Sequence, residues 1–148
     1  MDCEVGHEIA DALGLLLRRP ARGQLYNALT ADLGEAVDAM TYPVLSGLAR
    51  TGPRSAADLS PEVGLDRSNV SRRASRLEEA GLVRREQDPL DGRATLLVLT
   101  ERGESVVREL RDRLATHITE SLNTWPPGEA EIFAQCLRRL TEELLAYR

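Results

Sequence analysis

Arginine, serine and asparagine dominate one short segment of the chain, R-S-N-V-S-R-R-A-S-R at positions 67–76. The segment contains four arginines and no acidic residue. A planar guanidinium pairs with guanine or phosphate, and an asparagine amide pairs with adenine. The alternative interpretation is a solvated surface helix, but such faces usually mix both signs of charge. The missing acidic residues therefore favour a surface that binds nucleic acid.

A helix over this segment has a buried side and an exposed side, because successive residues are rotated by about 100°. The apolar side carries Val70, Ala74 and Leu77. The outward side carries only polar residues: Ser68, Asn69, Arg72, Ser75 and Arg76. The segment is therefore predicted to be an amphipathic helix that presents hydrogen-bonding groups to a partner.

The polar residues of this helix fall into two predicted roles. The N-terminal half of a DNA-reading helix usually reaches the bases. We therefore expect contacts with base edges or nearby phosphates from four residues: Ser68, Asn69, Ser71 and Arg72. Arg67 and Arg73, which flank the apolar side, are also expected to bind DNA, and Arg73 and Arg76 are expected to bind phosphate more than bases.

A short hairpin is predicted directly after the helix, with strands at 82–86 and 94–99. Between them, D-P-L-D-G-R supplies turn residues. The basic residues of the hairpin are Arg84, Arg85 and Arg93. We expect Arg84 and Arg93 to bind DNA, Arg93 in or over the minor groove, and Asp91 to orient an arginine through a salt bridge. The alternative is a turn that merely exposes a charge.

The predicted order of elements is four helices, the hairpin and two further helices. A capping-box-like S-A-A-D, with Ser55 as N-cap, starts a short helix before the Arg-rich one, whose expected N-cap is Asp66. The two helices followed by the hairpin form a winged helix-turn-helix. The fold class is therefore mainly α with a small β-hairpin wing. Residues 35–100 are assigned to the winged helix-turn-helix, and 4–30 and 101–147 to a helical dimerisation part, within a single subunit 1–148.

The helix before this pair has an ambiguous start. Asp38 and Thr41 are both suitable N-caps, and Pro43 fits a first helical turn better than a helix interior. The helices at the two ends of the chain have apolar stripes and no sheet to cover. Such stripes are most easily buried against a second copy of the chain, so we expect a homodimer.

Composition excludes several classes of protein. No apolar run approaches the length of a membrane span, about 18–20 residues, and the first residues lack the basic region of a signal peptide. We therefore expect a cytoplasmic protein without membrane partners. The net charge is −5, and all 19 basic residues are arginine. Residues 50–93 contain nine arginines and eight acidic residues, so the remainder of the chain carries the negative charge.

Three stretches together resemble the MarR family (multiple antibiotic resistance regulators): T-G-P-R-S-A-A-D-L, L-D-R-S-N-V-S-R-R-A-S-R-L-E-E-A-G-L-V-R-R and D-P-L-D-G-R-A-T-L-L-V-L-T-E-R-G. The likeness is dense over residues 52–103, and the flanking helices match the family in number and order. Pro43 departs from the family pattern within the second helix. The aromatic content of 3% leaves few side chains to stack on an aromatic ligand.

The resemblance implies a homodimeric transcription regulator, often a repressor, whose recognition helix covers Arg67–Ala80. It places the family's wing arginine on Arg93 and its wing aspartate on Asp91. It also implies a small phenolic or other lipophilic effector, bound between the dimerisation and DNA-binding parts. The corresponding pocket would be lined by Leu13, Leu17, Tyr42, Leu45 and Trp125, and packing in a core or interface is the alternative for each.

Other kinds of site have weaker support in the sequence. Cys3 has no basic neighbour to activate it, and Cys136 lies on an apolar stripe where we expect a buried, inert thiol. Together with His7 and His117, the cysteines show no metal-ligand spacing, so no metal or other cofactor is expected. No nucleophile–base pair or phosphate loop indicates an enzyme.

Three functional hypotheses follow. The first is a DNA-binding regulator that acts as a homodimer on double-stranded DNA and is released by a small molecule. The second is a winged-helix interaction module without DNA binding, although a protein-docking face would be more apolar than this one. The third is a cysteine-based redox-sensing regulator.

Overall fold

The computed structural model describes residues 3–146. Seven helices and one two-stranded sheet follow one another in this range: α1 (Cys3–Leu17), α2 (Arg19–Thr30), α3 (Tyr42–Thr51), α4 (Ala56–Val63), α5 (Arg67–Glu79), β1 (Val83–Gln87), β2 (Thr95–Leu99), α6 (Glu101–Leu122) and α7 (Glu129–Ala146). The mainly α fold with a hairpin wing is confirmed. The described range leaves out residues 1, 2, 147 and 148 of the predicted subunit. The last residue of the predicted 101–147 part therefore lies outside the described residues.

The chain divides into two compact units, one ending at Arg111 and the other beginning at Asp112. The division falls within α6. The start of α6 belongs to the first unit, where Gly103, Val107 and Leu110 are buried. The helical part predicted as 101–147 is therefore split between the two units.

The core of the first unit lies between α3, α4, α5 and the hairpin. Its largest fully buried apolar side chains come from all four elements: Leu45, Leu48, Leu59, Leu77, Leu97, Val44, Val70 and Val83. The predicted apolar side of the Arg-rich helix is confirmed, because Val70, Ala74 and Leu77 are each 0% exposed. Burial of this side directs the polar side of α5 outward.

Local hydrogen bonds start the two helices of the helix-turn-helix. The Oγ of Ser55 accepts the N–H of Asp58 at 3.1 Å, and Oδ1 of Asp66 accepts the N–H of Asn69 at 2.8 Å. Gly64 ends α4 in the left-handed region, with φ of 69°, where glycine has no steric penalty. Both predicted N-caps are confirmed, and the turn between the helices is short.

The connector between α2 and α3, residues 31–41, contains both of the predicted cap residues, and both form hydrogen bonds within it. Thr41 occupies the N-cap position of α3, and its Oγ1 donates to the carbonyl oxygen of Ala36 at 2.5 Å. Oδ1 of Asp38 accepts the N–H groups of Met40 and Thr41 at 2.9 and 3.0 Å. Pro43 lies in the first turn of α3, as its missing N–H requires. The connector is thus an ordered turn tied together by Asp38 and Thr41.

The wing is anchored to the rest of the first unit through its second strand. β1 and β2 pair antiparallel, from Val83 opposite Leu99 to Gln87 opposite Thr95. Leu97 also exchanges two backbone hydrogen bonds with Arg54, at 2.7 and 3.3 Å. These two hydrogen bonds link the wing to the loop between α3 and α4. Each strand begins one residue later than predicted.

Apolar side chains on the terminal helices are exposed in the single chain. On α1 these include Val5, Ile9 and three consecutive leucines, and α7 has no buried residue in its described length. Cys136 is exposed as well, so the expectation of a buried thiol is wrong for the single chain, because nothing in its own unit covers that face of α7. None of the described helices is long and apolar enough to cross a membrane.

Candidate nucleic-acid interface

The first turn of α5 carries a chain of hydrogen bonds along its exposed side. Nδ2 of Asn69 donates to Oδ2 of Asp66 at 2.8 Å. Nη2 of Arg72 donates to Oδ1 of Asn69 at 2.6 Å. The N–H and the side-chain amide of Asn69 hold the pKa of Asp66 below its ordinary value of 3.8, so this carboxylate is charged at neutral pH. The N-cap residue therefore holds Asn69, and Asn69 in turn holds the guanidinium of Arg72.

Two other arginines of α5 turn back onto the connector between α2 and α3. Nη1 of Arg73 donates to the carbonyl oxygen of Met40 at 2.8 Å. Nη2 of Arg76 donates to Oδ2 of Asp38 at 2.7 Å and to the carbonyl oxygen of Glu35 at 3.1 Å. Both were predicted as phosphate ligands. Their guanidinium groups instead have partners within the chain, which fix α5 against the connector.

The hairpin is fastened to α5 by Arg85. Its guanidinium donates to Oε1 of Glu78 at 2.8 Å, to the carbonyl oxygen of Ser71 at 3.0 Å and to Oγ of Ser75 at 3.2 Å. Ser71, predicted to reach the DNA, is therefore half-buried beneath the wing and bound to Arg85. Arg84 is exposed and pairs with Glu86 at 2.6 Å.

The wing tip corrects the predicted role of Asp91. Its Oδ1 accepts the backbone N–H of Arg93 at 3.1 Å, and no ion pair of this carboxylate is present among residues 3–146. Asp91 therefore shapes the turn and does not orient a guanidinium. Within the same range, the side chains of Arg67 and Arg93 have no hydrogen-bond or ion-pair partner. Both are exposed and free to bind a ligand.

A groove of about 450 Å³ lies between the start of α4, α5 and the wing. Its charged lining consists of Arg67, Arg85, Arg93 and Asp91, and Ser55 and Ala56 contribute the start of α4. We call it the basic groove. Three guanidinium groups against one carboxylate make it suitable for an anion such as a backbone phosphate. Fold contacts thus bring together Arg67 and Arg93, which lie 26 positions apart in the sequence.

The residues predicted to line an effector pocket lie in different surroundings. Leu45 is fully buried in the core and Leu17 is 66% exposed. Leu13 is half-buried, as is Tyr42, whose ring stacks on that of Tyr26 with centroids 4.4 Å apart. Trp125 belongs to the second unit, where its ring centroid lies 5.2 Å from that of Phe133. The pocket stays a prediction for this set, since helical spacing does not separate core positions from cavity walls.

Metal and thiol chemistry have little support at this interface. No group of three or more His, Cys, Asp or Glu side chains suited to a metal ion occurs in the described part of the chain. Cys3 and Cys136 are both exposed free thiols. Neither lies on α4, α5 or the wing.

Acid should weaken the contact between Asp38 and Arg76. Burial raises the pKa of Asp38, but hydrogen bonds from Arg76 and from the N–H groups of Thr41 and Met40 outweigh it, leaving the pKa below 3.8. A carboxylate with a lowered pKa stabilises the fold above its unfolded-state pKa, and this contribution is lost as the pH falls through the folded-state pKa. We therefore expect Asp38→Asn to lose less stability than the wild type between about pH 4 and pH 2.

Urea unfolding at a series of pH values measures this effect. Asp11→Asn is the matched control, since the carboxylate of Asp11 on α1 has no partner among the described residues. The control should keep the wild-type pH profile. Superimposable profiles for the wild type and Asp38→Asn would contradict the assignment of the contact.

Comparison with known proteins identifies the family to which this fold belongs. The model of the MarR family matches residues 37–94, which include α3, α4, α5 and β1. YxaD of Bacillus subtilis (strain 168), an uncharacterised HTH-type transcriptional regulator, is 30% identical over 105 residues, covering 71% of this chain and 73% of YxaD. This class of relative agrees with the prediction of a regulator and not an enzyme.

Solved structures agree over nearly the whole chain. A MarR family protein from Bacillus stearothermophilus superposes with a TM-score of 0.80 at 21% identity, over 98% of this chain and 99% of that one. The PcaV transcriptional regulator from Streptomyces coelicolor, solved in complex with its natural ligand, is 30% identical over 96% of both chains, with a TM-score of 0.59. The match of residues 37–94 and the relationship to YxaD show that this chain belongs to the MarR family of winged-helix transcriptional regulators.

Proposed function

We propose that this regulator is a sequence-specific DNA-binding repressor that acts as a homodimer on an inverted-repeat operator. The proposal rests on the exposed first turn of α5, where Asn69 and Arg72 are joined by a 2.6 Å hydrogen bond. Such a turn fits the major groove. The basic groove beside it has the charge needed to hold a phosphate of the same duplex.

Three residues of α5 would read the base edges. Ser68 and Arg72 are exposed, and Asn69 lies between them on the same turn. An Asn–adenine pair or an Arg–guanine pair discriminates against a wrong base by about 1–3 kcal/mol. Because Asn69 is bound to Arg72, the two side chains would act as one reading unit.

The remaining arginines have supporting tasks in this proposal. Arg67, Arg84 and Arg93 would bind the backbone, with Arg93 in or over the minor groove. Arg73 and Arg76 would hold α5 at the correct angle through the connector and offer only their remaining N–H groups to phosphate. The net charge of −5 means that attraction to DNA depends on this small set, so the salt slope should reflect only these few phosphate contacts.

The exposed apolar side chains of α1 and α7 support the homodimer. Phe133 and Leu137 on α7 are 41% and 43% exposed, and Leu16 and Leu17 on α1 are 67% and 66% exposed. Several large apolar side chains exposed on one helix favour an interaction site there, and this holds for each of the two helices taken by itself. A two-fold axis would then set two copies of α5 about one turn of DNA apart, near 34 Å.

Two measurements test this proposal. Sedimentation at micromolar concentration should give a dimer. Selection of bound DNA from a random pool should return an inverted repeat with half-sites about one helical turn apart. A monomer would overturn the two-fold arrangement. A pool without any bound DNA would instead support the interaction-module hypothesis.

We propose a small lipophilic or phenolic effector as the signal that releases the DNA. PcaV, at 30% identity, has been solved with a natural ligand, which supports ligand control in this chain. The stacked rings of Tyr26 and Tyr42 are an aromatic surface on the first unit that could pack on such a molecule. A phenolic compound that dissociates the complex of the wild type, but not that of Tyr42→Leu, would support this assignment. Equal release from both proteins would refute it.

A further inference from the structure

The wing tip carries one apolar side chain that the fold does not use. Leu90 is 96% exposed, whereas the next most exposed large apolar side chain in the described part of the chain, Leu16, is 67% exposed. Leu90 therefore contributes little to folding stability. A single exposed leucine is ordinary on a protein surface, so the meaning of Leu90 depends on what lies beside it.

The position of Leu90 is nevertheless fixed by the turn. Its N–H donates to Oδ1 of Asp88 at 2.9 Å. The N–H of Asp88 donates to the carbonyl oxygen of Ala94 at 2.9 Å, and Nε2 of Gln87 donates to that of Gly92 at 2.7 Å. These bonds order the backbone of the tip and leave the side chain of Leu90 directed away from the core. An ordered backbone lowers the entropic cost of binding at the tip, because the loop is already arranged before a partner arrives.

The surroundings of Leu90 indicate which partner covers it. Arg93 follows it by three residues, has no side-chain partner, and lines the basic groove. A cation and an apolar group at one rigid tip match the minor groove, where phosphates flank the apolar faces of the deoxyriboses. Other proteins place leucine, proline or phenylalanine in that groove.

We propose that Leu90 is a DNA contact, packing its side chain against the sugars of the minor groove next to Arg93. This inference rests on the proposed DNA-binding function. Leu90 would supply the part of the affinity that does not depend on salt, because burial of apolar surface releases no counterions. Arg93 would supply the salt-dependent part at the same position.

The test measures the affinity of the wild type and of each variant for the selected operator at several salt concentrations between about 50 and 200 mM. The slope of affinity against salt concentration is then compared between the proteins. Leu90→Ala should bind about tenfold more weakly per wing at every salt concentration, with an unchanged slope. Arg93→Ala should bind more weakly and with a shallower slope. Leu90→Met, which keeps the apolar surface, should restore most of the affinity, and Leu90→Asn, which keeps the size, should not.

Hydroxyl-radical cleavage gives a second readout, since the radical attacks deoxyribose hydrogens along the minor groove. Protection of the sugars beside the wing should be lost with Leu90→Ala while protection elsewhere is retained. Wild-type affinity and footprint in Leu90→Ala would overturn the assignment of Leu90 alone. A wild-type protein that binds no DNA would overturn the proposed function itself. A changed salt slope in Leu90→Ala would also reject an apolar contact.

Discussion

Gly103→Ala should lower the free energy of unfolding by about 1–3 kcal/mol or more, because α6 packs at this residue against the backbone that leads into β1. A Cβ added there would overlap the backbone carbonyl oxygen of Leu82 and lie 3.2 Å from Cδ2 of Leu99. The same carbonyl accepts the N–H of Thr100 at 3.0 Å. The substitution therefore forces apart a junction that also positions the wing.

Chemical unfolding in urea measures the effect of Gly103→Ala. Gly23→Ala is the matched control, because nothing lies within 4 Å of a Cβ added at that position in α2. Alanine should stabilise an open helical site by about 0.5–1 kcal/mol. If Gly103→Ala has the same free energy of unfolding as the wild type, the backbone at Leu82 moves aside without loss of stability, and the prediction is wrong.

Arg72→Ala should reduce affinity for the selected operator by about 1–3 kcal/mol and leave binding to random DNA almost unchanged. The guanidinium of Arg72 is held by Asn69 at the exposed turn of α5, where it can face a base edge. Asn69→Ala should relax specificity in the same way. Because the two side chains are bonded, the double variant should lose less than the sum of the two single losses.

Arg93→Ala is the comparison for these variants. It should weaken binding to specific and random DNA alike and reduce the salt slope by about one, since a backbone contact carries no sequence information. Titrations of each variant against both DNAs at several salt concentrations measure the difference. Equal losses on the two DNAs for Asn69→Ala, Arg72→Ala and Arg93→Ala would contradict the division into base and backbone contacts.

Features that depend on neighbours in the sequence could be predicted well. Ser55 and Asp66 each accept an N–H three residues later, so spacing along the chain was enough to locate both helix starts. Val70, Ala74 and Leu77 recur at helical spacing, and all three are fully buried. Periodicity decides which side of a helix is apolar, so it also decided which side of α5 is polar and exposed.

The tasks of individual arginines could not be predicted in this way. Arg73 and Arg76 bind groups of the connector 33 and 38 residues earlier in the chain. The side chain of Arg85 points beneath the wing, because the pleat of β1 turns it towards Ser71 and Ser75. Asp91 accepts a backbone N–H where a salt bridge was expected. Each of these differences depends on a long-range contact or on the direction of a side chain.

The sequence by itself determined the winged helix-turn-helix, the polar side of α5 and the family to which the chain belongs. The first two follow from helical periodicity, caps and turns, whose interactions span only a few residues, and the family follows from the resemblance of three stretches of the chain. Only the tertiary structure decided which arginines are free and which are anchors, and which apolar residues form a core. Those outcomes depend on the partners that folding brings within hydrogen-bonding distance, and residue type alone does not specify them.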